Sequence, residues 1–179
     1  MTDTIIDRLY QDNRTLINYL AAQGEISLQS NVDSDFRKTL LLASASYFEA
    51  TIKDHILKFV EEQTSINHPV LNFVKNKGIE RQFHTFFAWE GRNANSFFGL
   101  FGGDFKDFMT ANIQAEPKLE ASIRAFLELG GTRNQLVHQN FATFTLEKTA
   151  DEIYELYKLA LIFVNIFPVK LHEFVKRKD

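Results

Sequence analysis

Apolar residues recur every three or four positions over long uninterrupted stretches, and this period limits the chain to helices more firmly than any other feature. Between Asp33 and Gln63 the stripe runs Phe36, Leu40, Ala43, Tyr47, Ala50, Ile52, Ile56, Phe59 and Val60. That is one buried helical face held for about seven turns. Asp33 or Ser34 supplies a good N-cap, so the spacing predicts a long helix starting there. A shorter helix precedes it, from Thr4 to Ala22, with Gly24 as its stop and Glu25 to Asn31 as a polar link. Only three prolines and eight glycines punctuate the 179 residues.

The second half continues the pattern. Pro117 suits a first helical position, and Leu119, Ile123, Phe126 and Leu127 form a buried stripe behind it. Thr149 and Glu152 make a capping box for a last helix that runs to about Lys176, with Pro168 expected to bend or interrupt it. Residues 141 to 148 alternate apolar and polar, but no second strand exists to pair with them, so they read as an extended connector. The glycine- and aromatic-rich segment from Trp89 to Phe105 reads as a loop with a short helical turn, followed by a helix from Asp104 to about Ala111. The expectation is a single all-α domain over residues 1–179: an antiparallel helical bundle with a helical and loop insertion at about 78–116.

Composition narrows the functional classes. Apolar residues make up 45% and charged residues 24%, which is a globular balance. No run approaches the roughly 18 apolar residues of a membrane span, and the first residues lack the basic-then-apolar order of a secretory signal. The absence of cysteine excludes a disulfide scaffold, a thiol nucleophile and a thiolate metal site, and it suits a reducing cytoplasm. Twenty Lys and Arg face 23 Asp and Glu, for a formal charge of −3, so any contact with nucleic acid is local. Two mild basic patches exist: Lys75, Lys77, Arg81 and Arg92, and the tail Lys170, Lys176, Arg177 and Lys178. Eighteen phenylalanines exceed what a surface displays, so most belong to the core, any surplus being available to an oligomer interface.

One short segment carries chemistry. Gly130-Gly131 is expected to stop or bend the helix that begins at Pro117. Thr132 and Gln135 then have the spacing of a capping box, which places Arg133, Asn134 and His138 in the N-terminal turns of a restarted helix. Asn134 and His138 lie one turn apart on one face, and Arg133 is rotated by about 140° from His138. A guanidinium binds a phosphoryl group bidentately, and an imidazole moves protons near neutral pH. Cleavage of RNA by its own 2′-hydroxyl needs these groups and no metal. It also needs both a base and an acid, which two copies of one histidine supply in a two-fold dimer.

The sequence from Leu129 to His138, with an Arg, an adjacent polar residue and a His after a short interval, resembles the signature of the HEPN superfamily. The downstream text from Asn140 through the final helix, and the upstream helix around Leu41 to Glu62, are similar to its RiboL-PSP branch. That resemblance implies a four-helix core, a homodimer formed along the motif helices, and metal-independent endoribonuclease activity. Carried over, Arg133 and His138 are catalytic and Asn134 orients the histidine or the phosphate. RNA is the implied substrate, no cofactor is called for, and an antitoxin or another protein partner fits a toxin or defence role. Some members of the superfamily bind without cleaving, so a non-catalytic module for RNA, a nucleotide or a protein is the alternative.

Trp89 and Arg92 in the insertion are the other candidates for RNA contact: the ring for stacking on unpaired bases, the guanidinium from an exposed loop. The competing reading packs the aromatic residues of this segment onto the bundle. His55, His84 and His172 show no metal-ligand spacing with carboxylates, and Asp7, Asp12 and Glu49 make no paired-carboxylate site.

Overall fold

A computed structural model describes residues 3–64 and 68–177. Lys178, part of the basic tail, lies outside them. The protein is all-α: eight α-helices and one π-helical turn, with no strand among the described residues. The helices are α1 (Ile5–Ala22), α2 (Ile26–Gln63), α3 (His68–Phe73), α4 (Phe83–Phe86), α5 (Asn95–Gly99), α6 (Gly103–Ala115), α7 (Pro117–His138) and α8 (Ala150–Lys176). The π-helical turn Val74–Ile79 follows α3 directly. Two compact units are formed, one from residues 1–47 and 129–158, the other from 48–128 and 159–179. The long helices α2, α7 and α8 each contribute residues to both.

Three expectations about these elements are corrected. Helix α2 begins at Ile26, not at Asp33 or Ser34, so the supposed polar link is helix. Gly24 at φ +72° reverses the chain, and the Asp33 carboxylate pairs with Arg37 one turn on instead of capping an end. Helix α7 runs without a break through Gly130 and Gly131. Each glycine costs about 1 kcal/mol of helix propensity, but Leu129 and Leu136 are 1% and 0% exposed on either side and hold the turns in place. Thr132 is therefore interior to a helix and caps nothing. Helix α8 likewise passes through Pro168 uninterrupted. The insertion follows expectation more closely: α5 is its short turn, and α6 is longer than anticipated. Between 79 and 88 only Phe83–Phe86 is α-helical, after Arg81 takes a left-handed φ of +64°.

The first unit is organised around a buried carboxylate. Thr4 caps α1, and the side chain of Asp7 returns to the Thr4 amide at 2.7 Å, a complete capping box. From α8, the Tyr154 hydroxyl donates to Asp7 at 2.7 Å and Lys158 approaches to 3.4 Å. Tyr10 stacks flat on Tyr154 with ring centroids 3.9 Å apart. Burial alone raises the Asp7 carboxyl, but the bonds from Tyr154 and Thr4, with Lys158, outweigh it and hold the group at about 2 against an ordinary 3.8. A carboxyl lowered by folding stabilises the protein above its ordinary value and loses that contribution as pH falls from 3.8 through 2. The difference corresponds to about 2 kcal/mol. Asp7→Asn is therefore expected to be less stable than the parent by roughly that amount at pH 7 in urea melts, with the gap closing toward pH 2. An equal gap at both pH values contradicts the network.

The second unit is built on phenylalanine. Phe97 and Phe98 from α5, Phe105 from α6, and Phe163 and Phe167 from α8 are all 0% exposed. Phe97 stacks on Phe87 at 4.4 Å and meets Phe167 at 4.9 Å, and Phe126 lies 4.8 Å from Phe87 and 5.2 Å from Phe163. Most of the phenylalanines named here are thus interior, and the insertion supplies many of them, while Phe73 and Phe141 are exposed. In the same unit His172 places Nδ1 at 2.6 Å from the Pro168 carbonyl and Nε2 at 2.6 Å from the Glu62 carboxylate. Both partners accept, so both ring nitrogens donate. The Glu62 bond and then the Pro168 carbonyl push the imidazole up from its ordinary value.

Candidate functional site

The motif residues occupy the last two turns of α7. This overturns the expected placement at a helix start. The end of α7 presents carbonyl groups and a partial negative charge, not amide donors, so an anion bound here relies on side chains. Arg133 and Asn134 are half-buried, and His138 is exposed. The Arg133 guanidinium donates from Nη1 to Asn134 Oδ1 at 3.1 Å, and its other donors have no partner among the described residues. No carboxylate lies within 4.0 Å of Arg133 among the described residues. Asn134 and His138 lie one turn apart on the same helical face, so the side chain that the guanidinium holds neighbours the imidazole. The His138 ring itself has no hydrogen-bond partner among the described residues.

The chain leaving α7 turns at once. Asn140 accepts the Ala142 amide with its side chain at 3.0 Å, and its carbonyl accepts the amides of Thr143 and Phe144 at 3.1 and 2.9 Å. The extended connector expected over 141–148 is thus a turn in its first part and irregular only beyond it, and the box between Thr149 and Glu152 starts α8: the carboxylate takes the Thr149 amide at 2.8 Å, and the Thr149 hydroxyl takes the Glu152 amide at 3.2 Å. Two exposed apolar side chains flank His138, Val137 and Phe141, each 46% exposed.

Arg92 and Trp89 belong to the other compact unit. Arg92 is fully on the surface in the turn between α4 and α5. Trp89 donates from Nε1 to the His84 carbonyl at 2.9 Å, and its ring lies 5.0 Å from Phe87 and 5.9 Å from Phe126. Its face is engaged with core rings, and of the two candidates Arg92 is the exposed one, with no ion pair among the described residues. Among the described residues no three or more His, Asp or Glu side chains lie together as metal ligands would, and no helix is long and apolar enough to cross a membrane. Sequence reasoning missed two features of the motif's unit: the Asp7 network and the attachment of Phe141 to Lys38. Neither partner of Lys38 is near it in sequence, and nothing in a helical stripe marks a lysine as buried.

An all-helical chain that carries Arg, Asn and His at the end of an interior helix defines a HEPN-type domain. The model of the RiboL-PSP-HEPN family matches residues 7–173, and the chain belongs to that family. Comparison with curated proteins and with solved structures returns no match.

Proposed function

We propose that this protein is a metal-independent endoribonuclease that works as a homodimer in the cytoplasm, in a toxin, defence or RNA-processing role. The observation that supports it best is the end of α7, where a guanidinium with no carboxylate partner among the described residues is bonded to Asn134, on the same helical face as exposed His138. In the reaction a base takes the proton of the 2′-hydroxyl, and the 2′-oxygen attacks the adjacent phosphorus. Arg133 stabilises the charge of the crowded phosphorane. The bond to the 5′-oxygen breaks as an acid protonates it, leaving a 2′,3′-cyclic phosphate and a 5′-hydroxyl. One histidine per chain supplies one of the two proton carriers, and a second copy supplies the other. The exposed Val137 and Phe141 beside His138 favour contact with that copy or with a protein partner such as an antitoxin. Exposed Arg92, in the other compact unit, is a further candidate contact for an RNA backbone, with half-buried Trp89 close to it in sequence.

A second reading, a module that binds RNA, a nucleotide or a protein without cleaving, is favoured by the formal charge of −3 and by the negative helix end beneath the motif. Incubation of purified protein with single-stranded RNA in EDTA separates the two. Fragments ending in cyclic phosphate support the nuclease. Intact RNA that still binds, with binding lost in Arg133→Ala, selects the module.

A further inference from the structure

Lys38 on α2 is 6% exposed, yet its ammonium has no carboxylate within 4.0 Å among the described residues. Its Nζ donates to the Phe141 carbonyl at 2.8 Å and lies 5.0 Å from the centroid of the Phe141 ring. A buried cation whose described partners are a carbonyl and an aromatic face is a costly way to fill space, and an apolar side chain of similar length fills it at lower cost. Such a group is better explained by what it holds. Phe141 is three residues beyond His138, a reach of at most about 11 Å of chain. Phe141 sits inside the turn closed by the Asn140 bonds to residues 142–144, and that turn begins two residues after His138. The end of the motif helix is thereby tied down on both sides: by α7 itself, and by a bond to α2 from a residue 103 positions earlier in the chain.

We propose that Lys38 is a positioning residue that latches the segment after α7 and so fixes where His138 is presented. The catalytic consequence rests on the nuclease reading above; the latch itself does not. Lys38 touches no reacting atom. It holds the Phe141 carbonyl and with it the whole turn of residues 140–144, and the short chain from that anchored turn back to α7 limits the poses of the imidazole. A displacement of the order of an ångström at a proton-transferring group is enough to slow the reaction by about a hundredfold.

The test uses Lys38→Met, which keeps the length and removes the donor, with Lys38→Arg as the conservative rescue. Phe141→Ala removes the ring and keeps the carbonyl. In Lys38→Met, kcat per folded molecule is expected to fall about tenfold to a hundredfold with KM within about twofold. Lys38→Arg is expected to recover most of it, and Phe141→Ala to lose less than Lys38→Met. Backbone 15N order parameters of residues 139–144 are expected to drop from about 0.85 to below about 0.6 in Lys38→Met. A lysine that merely stabilises the fold lowers the melting temperature and leaves both readouts in place, which overturns the proposal. If the parent does not cleave RNA, the nuclease reading fails by itself and the order parameters alone decide the latch. If Lys38→Met does not fold, Lys38→Leu, which also removes the donor, takes its place, and unchanged order of residues 139–144 in it counts against the latch.

Discussion

His138→Ala is expected to reduce RNA cleavage by about 10³-fold or more while leaving the melting temperature within a degree or two of the parent. The size follows from the proposed role of His138 as a proton carrier, since general acid–base catalysis contributes roughly 10² to 10⁴. The unchanged stability follows from exposure: the ring has no hydrogen-bond partner among the described residues, and such surface substitutions shift stability by about 0.5 kcal/mol at most. Arg133→Ala is expected to cost about 10² to 10³, the usual effect of deleting one charge-stabilising donor. Arg133→Lys should not restore the rate, because an ammonium cannot both hold Asn134 Oδ1 along one edge and offer a planar pair of donors to the phosphate. Cleavage in EDTA, read by end-labelled RNA, measures all three. Parent-like activity in His138→Ala removes the assignment.

The largest stability effect is expected at Phe97. Its ring is 0% exposed and packed on Phe87, Phe101 and Phe167. Truncation to alanine removes the whole phenyl ring with its contacts on every side and is expected to cost about 3–5 kcal/mol. In a chain of this length that lowers the melting temperature by roughly 8–15 °C. Phe97→Leu, which keeps most of the volume, is expected to cost less than about half as much. Thermal melts by circular dichroism decide it. A loss below 1 kcal/mol in Phe97→Ala is incompatible with an aromatic core at this position.

What the chain revealed in advance, and what it concealed, divides along the range of the interactions. The box at Thr149 and Glu152 was legible because both partners lie within one turn and satisfy the same helix end. The interior fate of the phenylalanines was legible because nothing but burial accommodates so many. The motif itself was legible as a family pattern, but its placement was not. Gly130-Gly131 has the local chemistry of a stop, and only the buried leucines at 129 and 136 overrule it. Asp33 looks like a cap until Arg37 takes its carboxylate. Lys38 and Asp7 act through partners more than 100 residues away, and no period or spacing encodes such a pair.

The glycine pair inside α7 has a further consequence for motion. Two successive glycines weaken helix propagation by about 2 kcal/mol relative to alanines, and they stand just before the seven residues that end with His138. Local opening of that last stretch therefore costs less than opening the segment from Leu119 to Leu129, and its amide protons are expected to exchange with deuterium first. The two ends of one uninterrupted helix then breathe on different clocks, the proposed reactive end faster than the end beneath it.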